Sequence, residues 1–442
     1  ITNFPFVPTL KLVTTTPRFE MLAEEMDVNA GAYQDGRSMA ELTAEMLDLT
    51  VRVASGEPSK GEQAGHSQIS IWRNWRQTDD SGLAAILAMP SPDGRPLPVR
   101  EHDRLSADYT FQATRKNGQF VSQQIGLILP TSLCSGQIAR LCAERLNQRD
   151  WARAGGLTHF VALVHTEGCG VAMPGSREIF NRTMVSYMAH PMVRLGLFLE
   201  HGCEKTHNDY MHHALDEEGL NPADFGWASV QLDGGIDAVM EKVEAWFAQR
   251  MASAPPPVFE PAGLEHLRLG LMGLDTDLSD DAAEALAQLV RTVVARGGTV
   301  VAPENATVWQ SERFVMETLD DGPPRPVPTL AYGQAITAPG LHMMAAPSRH
   351  WSETITGLGA TGVELILANE EQPYAGHPFV PLLRVGEDGP ELNLVLSSDP
   401  AGWADAMLRG VADALNRGAT ARTVEAGLVD FQLTRGLLGV ST

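Results

Sequence analysis

Positive charge is what this sequence is short of: 33 Lys and Arg stand against 55 Asp and Glu, a formal net charge of -22 over 442 residues. Such a surface repels a phosphate backbone or an anionic bilayer, so neither nucleic acid nor a membrane is expected as a partner. Cysteine is scarce too. Its four residues, Cys134, Cys142, Cys169 and Cys203, do not form the dense pattern of a disulfide framework and read as reduced thiols. No run of about eighteen uninterrupted apolar residues occurs, and no apolar N-terminal stretch resembles a secretion signal, so a cytoplasmic location is the expectation. Aromatic residues make up 6%, and the IWRNWRQ run from Ile71 to Gln77 reads as strand packing rather than a platform for stacked bases.

What is present is an ordinary globular composition, 43% hydrophobic and 20% charged, in a chain too long for one typical core. It opens on Ile1, a few residues before a strand-like run from Phe6 to Val13, and so reads as part of something longer. PFVPTLKL at Pro5 to Leu12 returns as PFVPLLRV at Pro378 to Val385. Each copy is followed by an acidic loop, an amphipathic helix (Ser38 to Ala54, Pro400 to Arg417), a glycine-containing connector and a final strand-like run, an order that favours duplication. The fold class expected is α/β, with two Rossmann-like parallel-sheet domains and short repeated α+β tail segments. Residues 1–77 read as the tail of an upstream unit, 78–118 as a Pro-rich linker, 119–252 and 262–376 as the two α/β domains, and 377–442 as a degenerate repeat of the tail.

Between Ile125 and Gln249 the runs IGLILP, FVALVH, LGLFLE and ASVQL alternate with helical stretches. After the SAPPPVFEPAG linker, LRLGLM, TVVAP, LHMMAAP and GVELILAN follow, with a helix from Asp280 to Arg296. Such alternation predicts parallel sheets covered by helices, here without a dinucleotide fingerprint. Ligands bind outside the carboxyl ends of such strands, which singles out PTSLCSG, HTEGCG and HGCEKTHND. Each loop carries one cysteine, Cys134, Cys169 or Cys203, with His165, Glu167, His201, Glu204 and His207 beside them, a donor set that suits a soft or borderline cation. The alternative for any one of them is an ordinary buried thiol, the reading given to Cys142 inside a helix. The Gly-bounded loops either aim backbone N–H groups at an anion or simply permit the turn. An acidic protein that takes an acidic ligand needs a local cation, and Lys205 and Arg140 are the nearest. His212 and His213 read as a solvated helix face, and Asp233-Gly234-Gly235 as a plain turn.

PTSLCS, HTEGCG, Arg182-Thr183 with His190-Pro191, and GCEK, taken in that order, make the chain resemble the altronate/galactarate dehydratase family of sugar-acid hydro-lyases. PFVPTLKLVTTT, MDVNAG at Met26 to Gly31 and VASGEPSKGEQAGH at Val53 to His66 are similar to that family's C-terminal end. The resemblance implies removal of water from a sugar acid such as altronate or galactarate to give a 2-keto-3-deoxy acid. It also implies a cofactor, Fe2+ or Mn2+, or an iron-sulfur cluster on three thiols. Taking a proton from the carbon beside a carboxylate needs a base and stabilisation of the enediolate, and loss of the hydroxyl needs an acid or a metal. On that chemistry Cys134, Cys169 and Cys203 are the candidate metal ligands; His165, Glu167, Lys205 and His207 are the candidates for catalysis; and Thr131, Ser132, Thr166, Gly168, Gly170 and Glu204 are the candidates for binding substrate.

The chain departs from the family pattern in several places. NGQFVSQQ, with Gln119, Gln123 and Gln124, replaces a basic stretch before the first strand. Met272 falls near an expected cysteine, NEEQP at Asn369 to Pro373 replaces a TGRG-like loop, and the second tail lacks the MDVNAG and ASGE signatures. Three readings follow. The site is shared with an upstream unit; or the substrate is another hydroxy acid, such as a sulfonated one, held by His201, Lys205 and His207; or the chain is a non-catalytic metal- or carboxylate-binding module. The partners expected are a small-molecule sugar acid and either a homo-oligomer or an upstream unit of the same gene product.

Overall fold

The computed structural model describes residues 3–65, 67, 91–101, 104–149, 156–171, 174–253, 256–274, 277–320, 326–370, 375–389, 392–416 and 427–435. The IWRNWRQ run lies outside them. In the N-terminal segment, Pro5 and Pro8 remove donors from the run expected as a strand. A strand forms there only at β1 (Leu12–Val13), which pairs in parallel with β2 (Val28–Asn29) with α1 (Thr16–Met21) between them, while Val7 makes an isolated bridge to Phe4. Helix α2 (Met39–Ala54) opens on a capping box, Ser38 accepting from the Glu41 N–H while Glu41 accepts from the Ser38 N–H. Ser59 and Glu62 repeat the device at α3 (Lys60–Gln63).

Strands β3 (Thr110–Lys116) and β4 (Gln119–Val121) form a hairpin through Asn117 and Gly118, whose φ angles of +50° and +82° suit a two-residue turn. There follows a parallel four-stranded sheet of β5 (Ile125–Pro130), β6 (His159–Ala162), β7 (Val193–Glu200) and β8 (Gly226–Ser229), in the order β6-β5-β7-β8. Its strands alternate with α4 (Leu133–Asn147), α5 (Pro174–Met188), α6 (Asn208–Glu217) and α7 (Ile236–Ala252). Every residue of β5 is buried, as a strand covered on both faces requires.

Strand β9 (Phe259–Gly263) then returns to pair antiparallel with β3. Two stretches expected to be linkers therefore meet as strands. Pro261 is tolerated because β9 is the edge of the β4-β3-β9 sheet, where a missing N–H breaks no inner ladder.

The second parallel sheet holds β10 (Arg268–Met272), β11 (Thr299–Pro303), β12 (Gly340–Met344), β13 (Leu365–Asn369), β14 (Leu382–Gly386) and β15 (Leu394–Val395), in the order β12-β11-β10-β13-β14-β15. Its helices are α8 (Asp280–Ala295), α9 (Glu312–Thr318), α10 (Trp351–Ala360) and α11 (Trp403–Asn416). The repeat seen in sequence is visible here. In each copy a strand pairs in parallel with a two-residue strand and leads through a 3-10 turn into a helix, β1-β2-α2 in the first and β14-β15-α11 in the second. One hydrophobic core spans both parallel sheets, joining Leu127, Tyr187 and Phe198 to Leu358, Ile366 and Phe379, with Phe431 and Leu433 of the C-terminal segment between them. Among the described residues no helix is long and apolar enough to cross a membrane.

Candidate functional site

The three cysteine-bearing loops emerge side by side at the carboxyl edge of the four-stranded sheet, after β5, β6 and β7. Each is tied to the other two. The Leu133 N–H donates to the Glu167 carbonyl (2.6 Å), the Lys205 N–H to the Cys169 carbonyl (2.5 Å), and the Thr206 hydroxyl to the Thr131 carbonyl (3.1 Å). The ring has an acidic clasp in Glu204. One carboxylate oxygen accepts from the Thr131 hydroxyl (2.8 Å), the Ser132 hydroxyl (3.0 Å) and the His201 N–H (2.8 Å), and the other from the N–H groups of Gly202 (2.7 Å) and Cys203 (2.9 Å). Burial alone would raise this carboxyl, but the hydrogen bonds from His201, Thr131 and Gly202 outweigh it and hold it below the usual carboxylate range. Three residues expected to bind substrate, Thr131, Ser132 and Glu204, are thus engaged with one another.

Cys134 sits in the first turn of α4, and Cys169 and Cys203 lie exposed on their loops. Burial, then the neighbouring Cys169 and Cys203 thiols and Glu204, push the Cys134 thiol up to about 11. Cys203 is likewise raised, by burial, Glu204 and Cys169. The three thiols are near enough to sense one another's charge. Cys142 is buried within α4, and burial pushes it up to about 12, in keeping with a core residue. His201 adds a nitrogen donor, its Nδ1 lying 3.2 Å from the Cys203 sulfur. One donor atom each from His201, Cys203 and Glu204 lie within 4.8 Å of one another.

His165 is buried with both ring nitrogens engaged: Nε2 lies 2.9 Å from the Pro130 carbonyl and Nδ1 accepts from the Glu167 N–H (3.2 Å). Burial lowers its pKa, so it is held neutral. His207 is exposed at the N-cap of α6, its Nδ1 3.4 Å from the Tyr210 N–H. Lys205 is exposed and joins the ring through its backbone, while its side chain packs over Gly170, where an added Cβ would lie 3.1 Å from the Lys205 Cβ. The Thr166 hydroxyl donates to Gln432 (3.0 Å), and Gly168 shares the β6 loop with Cys169.

Four further residues reach this edge from distant parts of the chain. Arg435 pairs with the buried Glu167, its Nε 3.2 and 3.3 Å from the two carboxylate oxygens, and Gln432 meets Thr166. On the other side Arg18 of α1 donates to the Gln231 side-chain carbonyl (2.5 Å), and the Gln231 amide lies 3.2 Å from His201 Nδ1. Glu25 anchors the same N-terminal segment by accepting from the Ile236 N–H at the start of α7 (2.7 Å). Gly235 makes room for it, since a Cβ there would come within 2.3 Å of Glu25. No local pattern announces these residues; only their arrival at loops already marked by the strand-end rule does.

Gln123 and Gln124, where basic residues were expected, lie directly before β5 at the opposite end of the sheet from the thiols. A cavity of about 770 Å³ opens at that end, lined by Gln124, Lys116 and Arg194 among others. Its cations are occupied: Lys116 Nζ donates to the carbonyls of His190 and Val193, Arg194 to that of Gly156 (3.2 Å), and Arg115 pairs with Glu260 (2.9 Å). The missing basic stretch therefore takes no charge from the thiol edge.

Residues 1–77 match the family model for D-galactarate/altronate dehydratase, C-terminal, and residues 114–254 match that for D-galactarate dehydratase/altronate hydrolase, second domain. The C-terminal model thus falls ahead of the second-domain model along this chain, and the two matched segments pack together at the thiol edge. The chain is also similar to the altronate dehydratase of Escherichia coli (strain K12), 24% identical over 371 residues and covering 71% of each chain. These matches, falling on the segments that build the three-loop edge, place the chain in the D-galactarate/altronate dehydratase family, and it is an enzyme of the hydro-lyase class.

Proposed function

We propose that the chain dehydrates altronate or galactarate to a 2-keto-3-deoxy acid at the edge where Cys134, Cys169 and Cys203 converge. One arrangement carries the reading: three loops tied to one another by hydrogen bonds each bring a thiol to the same edge, where burial first and then the neighbouring Cys169 and Cys203 push the Cys134 thiol up to about 11. A divalent cation such as Fe2+ or Mn2+ reverses that balance, so the donor set fits one. Cys134, Cys169 and Cys203 would hold it, with His201 beside Cys203; Glu204 would not, because its two oxygens already accept five hydrogen bonds. The same thiols also suit an iron-sulfur cluster with one open iron. When bound, the cation stabilises the enediolate as a Lewis acid.

The chain's own groups have distinct tasks. His207 and Lys205 are exposed and serve proton removal beside the carboxylate and protonation of the departing hydroxyl; the cap bond that His207 would give up is a long 3.4 Å. His165 cannot change protonation without losing its place between Pro130 and Glu167, so it orders the loops instead. The test is to incubate the full chain anaerobically with Fe2+ or Mn2+ and each acid, following the keto acid as its semicarbazone. Product is expected with one of the two acids, falling about 100-fold in Cys169→Ser and Cys203→Ser. A folded protein that forms no product from either acid with either metal would sink the reading.

A further inference from the structure

We propose that Arg18 is the anion-binding residue of the three-cysteine site, so that the N-terminal segment completes a site otherwise built on the four-stranded sheet. This rests on the reading that the site takes an acid, and it names the group that receives the acid's charge. The segment is fixed in place, because Glu25 caps the start of α7 and Gly235 leaves no space for anything larger beneath it.

From there Arg18 meets the Gln231 carbonyl, the Gln231 amide meets His201, and the same His201 nitrogen meets the Cys203 sulfur. What distinguishes Arg18 from the other guanidinium at this edge is its partner. Arg435 faces Glu167, and the two charges cancel. Arg18 faces a neutral amide and, among the described residues, has no carboxylate partner. In a chain of net charge -22, an arginine with no carboxylate partner beside the exposed Cys203 sets positive charge against the negative charge that Glu204 brings to the same loop. A planar guanidinium also matches a carboxylate two-pronged, which a lysine does not.

The test reads that field at Cys203, independently of turnover. The full chain, with a chelator present, is alkylated with anionic iodoacetate or neutral iodoacetamide, and Cys203 is quantified by peptide mass mapping in wild type, Arg18→Gln and Arg18→Lys. The iodoacetate-to-iodoacetamide ratio is expected to be about fivefold or more higher in wild type than in Arg18→Gln and to persist in Arg18→Lys. Because both reagents need the thiolate, their ratio isolates the field from any change in thiol pKa. An equal ratio in wild type and a folded Arg18→Gln overturns the proposal.

D-galactarate and galactitol, its uncharged counterpart, then serve as protectants. Protection by galactarate alone, needing at least tenfold more in Arg18→Gln, supports binding of the acid through Arg18. An Arg18-dependent ratio without protection by galactarate keeps the anion site and removes the sugar acid as its ligand.

Discussion

The two parallel sheets are wound by the same rule and spend their strand ends differently. After β5, β6 and β7 the loops present thiols, imidazoles and Glu204, with polar side chains facing one another. After β10 and β11 the loops are tied to one another and to the ends of β12 and β13 through backbone, with Glu370 accepting from the Leu274 N–H (3.1 Å) and the Asn305 amide donating to the Ser348 carbonyl (2.8 Å). The Thr307 N–H donates to the Gly273 carbonyl (2.8 Å), the Glu304 N–H to the Met344 carbonyl (2.7 Å), and a Cβ on Gly273 would sit 2.7 Å from the Asn369 carbonyl. Met272 ends β10 inside the shared core. The carboxyl end of a strand is therefore where a site can be built, and the side chains delivered there decide whether one is.

Breaking the clasp tests that contrast most severely. Glu204→Ala leaves two hydroxyls and three backbone N–H groups without their shared acceptor and should destabilise the protein by about 3–5 kcal/mol. Denaturant unfolding measures the loss, and Ellman's reagent should find Cys134 faster than in wild type. A variant of near-native stability with an unreactive Cys134 would mean that the loops are held by something else.

The counterpart in the six-stranded sheet is Leu408→Ala in α11, a fully buried position, expected to cost about 3 kcal/mol through transfer and cavity terms. Here thiol reactivity should not change under native conditions. If it does, the second sheet has a hold on the site that packing alone does not explain.

Between these lies a contact that joins the two halves. Arg435→Ala leaves the buried Glu167 without its guanidinium and should cost about 1–3 kcal/mol; a double-mutant cycle with Glu167→Gln should recover most of that as coupling. Additive losses would show the pair to be incidental.

What could be read in the sequence, and what could not, divides along the same line. β5 and β11 were legible because continuous apolar runs end sharply at Pro130 and Pro303, and the thiol loops followed from the strand-end rule. The β3-β9 pairing was not, since its strands lie in Pro-containing stretches on either side of a whole sheet. Nor were Arg18, Gln231, Gln432 and Arg435, whose contacts span more than two hundred positions in the chain or are set by the docking of an entire segment. The repeat was legible as sequence but not as burial. Helix α2 leaves Leu47 and Val51 exposed, whereas α11 buries Trp403, Met407, Leu408 and Val411. The same pattern meets a six-stranded sheet in one copy and only a two-residue strand pair in the other.

The smallest effect tests whether the sheets fold as one unit. His377, next to β14, is 2.8 Å from the hydroxyl of Tyr187 on α5, and its Nδ1 accepts from the N–H groups of Phe379 and Val380, so its Nε2–H is the donor to Tyr187. Burial holds its pKa down at about 3. A histidine whose folded pKa lies below its unfolded value contributes stability that is complete above about pH 6.5, declines as the unfolded chain takes up the proton, and is gone once pH falls through the folded pKa. Its share between pH 6.5 and 5.5 is about 1 kcal/mol. His377→Gln should therefore flatten the acid limb of the stability profile by that amount. Because Tyr187 and His377 sit where the two sheets share a core, loss of this step should be seen equally by a probe on either sheet; two separate transitions would mean that the seam is weaker than the core on each side of it.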